Sequence, residues 1–177
     1  FKGAQKAILG SIAGMYIFIN VLYVTNIIPP IPLSLKESGV YHNLVKTPEG
    51  TYRVLAEPHT WYNLKDIYFP IFKRYQGEPV YFFSAVFSPT DLNTKVLHEW
   101  QYFDEIKNEW VTTDTLGFAI TGGRDGGYRG YSLKQSLVPG KYRVNVITER
   151  GQILGRASFR VLNVMQQPDL ETKVLGE

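Results

Sequence analysis

The chain has 177 residues, of which 44% are hydrophobic, 20% charged and 14% aromatic, and its formal net charge is +3. This composition excludes an intrinsically disordered chain, and the length suits one domain plus an appendage. The absence of cysteine excludes disulfides, thiolate metal sites and cysteine nucleophiles. Since no basic run resembles a stripe that tracks phosphates, we expect no nucleic acid partner.

An uncharged apolar segment near the N-terminus predicts a transmembrane helix over Ala7–Ile28. At ~1.5 Å per residue, the segment is about 33 Å long and crosses a hydrocarbon core of about 30 Å. Prolines at positions 29, 30 and 32 end the helix, so residues 1–32 form an anchor in the lipid bilayer. A secretory signal peptide is the main alternative, but its apolar core would be shorter and followed by a cleavage site of small residues. A buried core helix is the other alternative.

Basic residues beside the helix predict its orientation. Lys2 and Lys6 precede the helix, and no acidic residue lies near them. Positive flanks stay in the cytoplasm, so we expect a single pass with everything after Pro29 on the extracytoplasmic, periplasmic side. Because the chain begins at Phe1 rather than at methionine, we also expect a fragment, with upstream transmembrane helices as partners of this one.

Residues 33–79 are predicted to be a linker with two features. The segments Tyr41–Val45 and Tyr52–Ala56 flank a turn with proline second and glycine fourth, which predicts a hairpin. The segment His59–Tyr75 mixes aromatic and basic residues, as does a chain at the headgroup level of a membrane. Its candidate membrane-interface residues are Trp61, Tyr62, Tyr68, Phe72, Lys73 and Arg74. The alternative is that these aromatics cover one edge of the domain that follows.

Residues 80–162 show short strands separated by turn signals, the rhythm of an all-β sandwich. On Lys95–Phe103, alternation puts Val96, His98, Trp100 and Tyr102 on one face. The last two strands form the clearest predicted hairpin, and residues 163–177 are expected to be a flexible tail. The predicted strands are Val80–Phe87, Lys95–Phe103, Glu109–Thr113, Phe118–Ile120, Tyr128–Leu133, Lys141–Thr148 and Ile153–Val161.

The candidate catalytic and metal residues do not form a recognisable motif. His42, His59 and His98 are too far apart for a local metal pair. A triad of Ser132, His98 and Asp114 can be assembled only on paper, because Ser132 lacks the GxSxG elbow. We therefore predict no catalytic residue, no metal and no cofactor, and a hydrolytic enzyme is a distant alternative.

A group of aromatic and arginine residues is the candidate binding site. Its members are Trp100, Trp110, Arg124, Tyr128, Arg129 and Tyr131. Exposed together, the aromatics would form a stacking platform for a sugar or an apolar segment of a partner. Pointing inward, Trp100 and Trp110 would be core residues. Arg129 has a structural alternative as well, an ion pair with Glu99 or Asp114 across strands.

Several motifs stand in order along the chain: His98-x-Trp100, Trp110, Tyr128-Arg129-Gly130-Tyr131-Ser132, Pro139-Gly140-Lys141-Tyr142-Arg143-Val144 and Gly151-x-x-Leu154-Gly155-x-x-x-Phe159-x-Val161. Through these motifs the chain resembles the DUF2914 family, bacterial domains of unknown function often found at the C-terminal end of membrane proteins. The resemblance implies an Ig-like antiparallel sandwich in a membrane setting and supplies no catalytic residues. It extends over about Val80–Val161 and loosely over Pro29–His42.

Two functional hypotheses of different class follow. In the first, the sandwich is a non-catalytic recognition module, held near the membrane, that binds a periplasmic protein or glycan. In the second, it is a structural domain that packs on the missing transmembrane helices and stabilises them. An exposed patch away from the membrane favours the first, and an apolar patch facing the anchor favours the second.

Overall fold

The computed structural model describes residues 2–25, 33–58, 70–88, 95–117, 121–122 and 127–176. The chain divides into two compact units, Phe1–Pro32 and Leu33–Glu177. The first contains the helix α1 (Lys2–Val24), and the second contains the strands. The strands are β1 (Ser34–Tyr41), β2 (Asn43–Lys46), β3 (Tyr52–Ala56), β4 (Ile71–Tyr75), β5 (Val80–Phe87), β6 (Val96–Asp104), β7 (Glu109–Gly117), β8 (Thr121–Gly122), β9 (Tyr128–Lys134), β10 (Gly140–Thr148), β11 (Ile153–Val164) and β12 (Glu171–Leu175).

The helix α1 is long and apolar enough over Gly3–Leu22 to cross a membrane. Two of its polar side chains are bonded within the helix. Ser11 Oγ and Asn20 Nδ2 each donate to the backbone carbonyl four residues earlier, over 3.0 and 2.8 Å. Such internal bonds lower the cost of a polar group in hydrocarbon. The apolar helix predicted from the sequence is confirmed, and its predicted end at Ile28 lies outside the described residues.

The second unit is a β-sandwich with a third layer. A five-stranded sheet has the order β4-β11-β10-β6-β7, and a four-stranded sheet has the order β1-β5-β9-β8. A smaller sheet has the order β12-β3-β2. Neighbouring strands are antiparallel except β4 and β11, which are parallel.

Strand β5 is buried on both of its faces, because it lies in the middle layer. Val80, Phe82 and Val86 pack into the core shared with the five-stranded sheet. Phe83 and Ala85 point the opposite way, into a second core with the three-stranded sheet. This double burial explains why the sequence of β5 is almost continuously apolar, where a half-exposed strand would alternate.

The predicted strands of the sandwich are largely confirmed. The inward face predicted for β6 is buried at Val96, His98 and Trp100. The predicted hairpin of β10 and β11 pairs Tyr142 with Phe159 and Val144 with Ala157. The early hairpin is β2 and β3, closed by hydrogen bonds between Thr47 and Thr51. The strand predicted at residues 118–120 lies outside the described residues.

The structure differs from the predicted domain limits at both ends of the sandwich. Residues 33–79, predicted as a linker, contain β1 to β4, and β1 pairs along its length with β5. The predicted flexible tail contains β12, which pairs with β3 and buries Leu175 in the second core. Both predictions are corrected for one reason: these strands pair with segments far away in the sequence, which no local turn signal marks.

Candidate functional site

The predicted binding aromatics do not share one surface. Trp100 lies in the core, where its Nε1 donates to Ser132 Oγ over 3.1 Å. Trp110 lies on the outward face of the five-stranded sheet, opposite Phe103. Tyr131 lies on β9, with its ring 6.2 Å from those of Tyr52 and Tyr81. A single stacking platform is therefore not formed.

The remaining binding candidates lie away from Trp110. Tyr128 and Arg129 are half-buried on β9, in the four-stranded sheet. The guanidinium group of Arg129 lies so close to Gly176 that a Cβ there would be 2.6 Å from Nη1. The predicted ion-pair partners of Arg129 are used elsewhere, since Asp114 pairs with Lys134. Arg124 lies outside the described residues.

The described part of the candidate membrane interface holds the sandwich together. Phe72 is buried and stacks on His42, with ring centroids 4.2 Å apart. Arg74 is buried too, and its guanidinium donates to four backbone carbonyls, among them that of Leu137 at 2.8 Å. These two residues are therefore core-forming, which corrects the prediction that they contact lipid headgroups. Lys73 is half-exposed and pairs with Glu57 at 3.1 Å. The other candidates, Trp61, Tyr62 and Tyr68, lie outside the described residues.

The candidate triad is replaced by a buried hydrogen-bonded histidine. His98 is fully buried between Ser84 and Ser132, whose hydroxyl oxygens both lie 2.8 Å from its ring nitrogens. Burial lowers the pKa of His98 to about 3, so the ring is neutral at physiological pH. Asp114, the third member of the candidate triad, is bonded to Lys134. The arrangement stabilises the interior of the sandwich.

A second histidine lies beside a cavity of about 320 Å³ that is lined by parts of β1, β3 and β4. His42 Nδ1 lies 2.6 Å from Glu78 Oε1, and its Nε2 lies 3.5 Å from Glu57 Oε1. Burial alone would lower the pKa of His42, but the two carboxylates raise it above its ordinary value. In the described part of the chain no group of three or more His, Cys, Asp or Glu side chains could hold a metal ion. Through His42, Glu57 at the end of β3 and Glu78 in the turn after β4 are linked.

The most organised polar surface lies on the outward face of the five-stranded sheet. Five side chains form one chain of hydrogen bonds there, which we call the arginine relay: Arg156, Asn145, Glu99, Gln101 and Arg143. The strand register produces it, because it places the five residues in two adjacent rows. In one row Asn145 lies opposite both Glu99 and Arg156, and in the next Arg143 lies opposite Gln101.

Glu99 is the centre of the arginine relay. Its Oε2 accepts from Asn145 Nδ2 over 2.6 Å and from Gln101 Nε2 over 3.0 Å. Each amide uses its NH2 group on Glu99, so its carbonyl oxygen is left to face an arginine. Asn145 Oδ1 accepts from Arg156 Nε over 2.7 Å, and Gln101 Oε1 accepts from Arg143 Nε. A carboxylate only accepts and a guanidinium only donates, so this is the only direction in which the chain of bonds can run.

Packing fixes the arginine relay further. Asn145 is 2% and Gln101 9% exposed, although both lie on an outward sheet face. The guanidinium group of Arg143 lies over the ring of Trp110, 4.3 Å from its centroid. Phe103, the neighbour of Trp110, has a similar contact, because Lys141 Nζ lies 5.1 Å from the centroid of its ring. The two amides are therefore enclosed, and the arginines form the outer layer of the network.

The arginines of this face have no ion-pair partner among the described residues. Between described residues no ion pair involves Arg143, Arg156 or Arg160. Burial, and then the nearby charge of Arg156, lower the pKa of Arg143 from its ordinary value. The register agrees, because Arg143 lies two residues before Asn145 on the same face of β10 and Asn145 pairs with Arg156. Glu99 raises the pKa of Arg143 and so offsets the charge of Arg156 in part. The sequence analysis missed these residues, whose only signal is that they occupy the polar positions of two alternating strands.

Comparison with known proteins finds a family model that matches part of the chain. Residues 93–161 match the family model DUF2914, a protein of unknown function. The match begins just before β6 and ends within β11, so it supports the predicted resemblance over a shorter range. Every member of the arginine relay falls inside the DUF2914 match. The strands β1 to β5 and β12 lie outside it.

Other comparisons are weaker. No curated protein matches the chain. Among solved structures, the alkylpurine DNA glycosylase AlkC of Pseudomonas fluorescens, bound to DNA containing an abasic site analog, is 16% identical with a TM-score of 0.31. The alignment covers 52% of this chain and 27% of that protein. A likeness of this size carries no argument.

Proposed function

We propose that the protein is a membrane-anchored, non-catalytic recognition module whose ligand binds the outward face of the five-stranded sheet at the arginine relay. The observation that carries the proposal is the pair Arg143 and Arg156, oriented by enclosed amides and free of carboxylate partners among the described residues. Orienting long side chains costs conformational entropy, and holding like charges together costs electrostatic energy. An acidic partner for each arginine would offset the electrostatic cost.

The membrane anchor of the proposal is α1. Its apolar span has the length and composition of a transmembrane helix, and polar groups within it are bonded to its own backbone. The extracytoplasmic, periplasmic position of the sandwich is part of the proposal and rests on Lys2 and Lys6 before the helix.

A recognition role is favoured over catalysis by the state of the described histidines. His98 is neutral and sealed in the core, and His42 is held between two carboxylates. The five side chains of the arginine relay offer donors and charge, and they include no nucleophile beside a base. Its chemistry therefore suits binding of an anionic group.

The proposal is tested with the full chain in nanodiscs, probed against panels of phosphorylated, carboxylated and neutral glycans and peptides. We expect the wild type to retain anionic members of a panel. The double variant Arg143→Gln/Arg156→Gln should lose them while keeping its circular dichroism spectrum. The matched control is Arg150→Gln, in the exposed turn between β10 and β11, which should bind as the wild type does. Equal binding by the double variant would disprove the role of this face.

A further inference from the structure

The free ends of the two relay arginines point to a class of ligand. Arg143 and Arg156 each use Nε to bond an amide oxygen. Within the described ranges, neither Nη group of either residue donates a hydrogen bond to the protein. Each side chain therefore presents the end of its guanidinium group, which is the part that binds oxyanions in a two-pronged manner.

The number of charges and hydrogen-bond donors on the two arginines indicates which anionic group they bind. Two guanidinium groups with free Nη ends carry two positive charges and several N–H donors. A carboxylate offers two oxygens and one negative charge, so it satisfies one guanidinium group. A phosphate monoester offers three terminal oxygens and a charge near −2, so it satisfies both.

We infer that the arginine relay is a phosphate-binding site, in which Arg143 and Arg156 bind the terminal oxygens of one phosphate group. This inference rests on the proposed function and names its ligand class. The phosphate belongs either to a soluble phosphorylated molecule or to a lipid headgroup, and both present the same oxygens to the site. Arg156 is exposed and Arg143 is half-buried, so the ends of their guanidinium groups are accessible to a phosphate at the end of a larger molecule.

Glu99 has an unusual place in this site, since a carboxylate repels an anion. The relay gives it a positioning role: it holds the amide groups of Asn145 and Gln101, and through them both guanidinium groups. Electrostatics alone predicts that any neutral residue at position 99 strengthens phosphate binding. Positioning predicts that binding depends on whether the new residue accepts the two amide hydrogen bonds.

The test uses two variants with the same net charge. Glu99→Gln keeps an acceptor oxygen for the two amides, and Glu99→Ala removes it. The full chain in phosphatidylcholine nanodiscs is titrated with inorganic phosphate against chloride at constant ionic strength, because screening alone changes with salt. Binding is followed by NMR at the arginine Nε–H resonances.

We expect phosphate to shift the Nε–H resonances of Arg143 and Arg156 and to leave that of Arg150 in place. Glu99→Gln should bind at least as tightly as the wild type. Glu99→Ala should bind about tenfold more weakly, which corresponds to one charged hydrogen bond of about 1.4 kcal/mol. Tighter binding by Glu99→Ala would show that charge alone acts and would overturn the positioning role.

Further measurements separate the outcomes. Arg143→Lys keeps the charge but removes the two-pronged geometry, and it should lose about as much affinity as Glu99→Ala. Absence of any phosphate-induced shift overturns the phosphate site. If a panel ligand without phosphate still binds and depends on Arg143, the recognition function stands and the ligand class is wrong.

Two probes distinguish a soluble source of the phosphate from a lipid headgroup. Glucose 6-phosphate is added to the discs in one experiment, and the discs contain phosphatidic acid in the other. Only the true source should shift the same resonances as strongly as inorganic phosphate does.

Discussion

His42 and Glu78 form a short contact between two layers of the sandwich, with 2.6 Å between Nδ1 and Oε1. The histidine follows β1, and the glutamate lies in the turn after β4. Glu57, at the end of β3, approaches the other ring nitrogen at 3.5 Å and also accepts from the backbone N–H of Lys73 over 2.6 Å. A protonated His42 thus connects three segments that lie far apart in the sequence.

The free energy of unfolding should depend on pH through this cluster. The pKa of His42 is raised in the folded state, so its contribution is complete below its ordinary value of 6.5 and is lost as pH rises through the folded value. Glu57 behaves oppositely: its pKa is lowered despite burial, by His42 and Lys73. Its contribution is present above 4.5 and is lost as pH falls through the folded value.

We predict that His42→Gln destabilises the domain by about 2 kcal/mol near pH 6 and by less at pH 8. Urea denaturation of wild type and variant at both pH values measures the difference. His98 is common to both chains and cancels in the subtraction. A loss of stability that is the same at both pH values would show that His42 acts through packing on Phe72 and not through its charge.

The buried pair of His98 and Ser132 predicts a larger effect. Ser132→Ala removes the partner of both His98 Nδ1 and Trp100 Nε1. Two buried polar atoms left without partners cost about 2–4 kcal/mol, which thermal and urea unfolding would detect. The control is Ser136→Ala at an exposed position, expected within about 0.5 kcal/mol of the wild type. An equally small effect of Ser132→Ala would mean that water replaces the hydroxyl.

His98 should also lower the free energy of unfolding in acid. Because burial lowers its pKa from 6.5 to about 3, the unfolded chain takes up a proton that the folded chain refuses. Stability should therefore fall as pH drops from 6.5 towards 3, with a limiting slope of about 1.4 kcal/mol per pH unit. His98→Asn should flatten this decline when unfolding free energies are compared at pH 6.5 and 5. An unchanged dependence of the unfolding free energy on pH would show that another group causes the loss of stability in acid.

Much of the sandwich could be predicted from the sequence, because alternation along a strand is a local property. Val96, His98 and Trp100 occupy alternate positions of one strand, and the structure buries them as predicted. The parallel pairing of β4 with β11 and the pairing of β12 with β3 could not be predicted in this way. Both pairings join distant segments, and local pattern carries no information on register between them.

The arginine relay was unpredictable for a related reason. Glutamate, glutamine, asparagine and arginine are ordinary residues on the solvent face of a strand. Only the register, which places Asn145 opposite Glu99 and Arg143 opposite Gln101, makes them one network. The predicted aromatic platform is the opposite case. Its residue types suggested stacking, but the fold distributes Trp100, Trp110 and Tyr131 over different faces.

The C-terminal strand offers a test of the third layer. Leu175 is 7% exposed and Val174, its neighbour on β12, is 49% exposed. Leu175→Ala should destabilise the domain by about 2–3 kcal/mol, since it removes part of the core shared by β3, β5 and β12. Val174→Ala, the matched control, should change stability by less than about 0.5 kcal/mol. Equal, negligible effects would restore the predicted flexible tail.

The proposed orientation can be tested cleanly because the chain has no cysteine. Ile106, in the turn between β6 and β7, is 97% exposed, so Ile106→Cys introduces one reactive thiol without disturbing the core. A membrane-impermeant maleimide should label this variant in intact spheroplasts, and inverted vesicles should be labelled only after detergent is added. Labelling with the opposite preference would place the sandwich in the cytoplasm. The positive-inside argument from Lys2 and Lys6 would then fail, while the arginine relay would keep its geometry and the search for its phosphate ligand would move to cytoplasmic molecules.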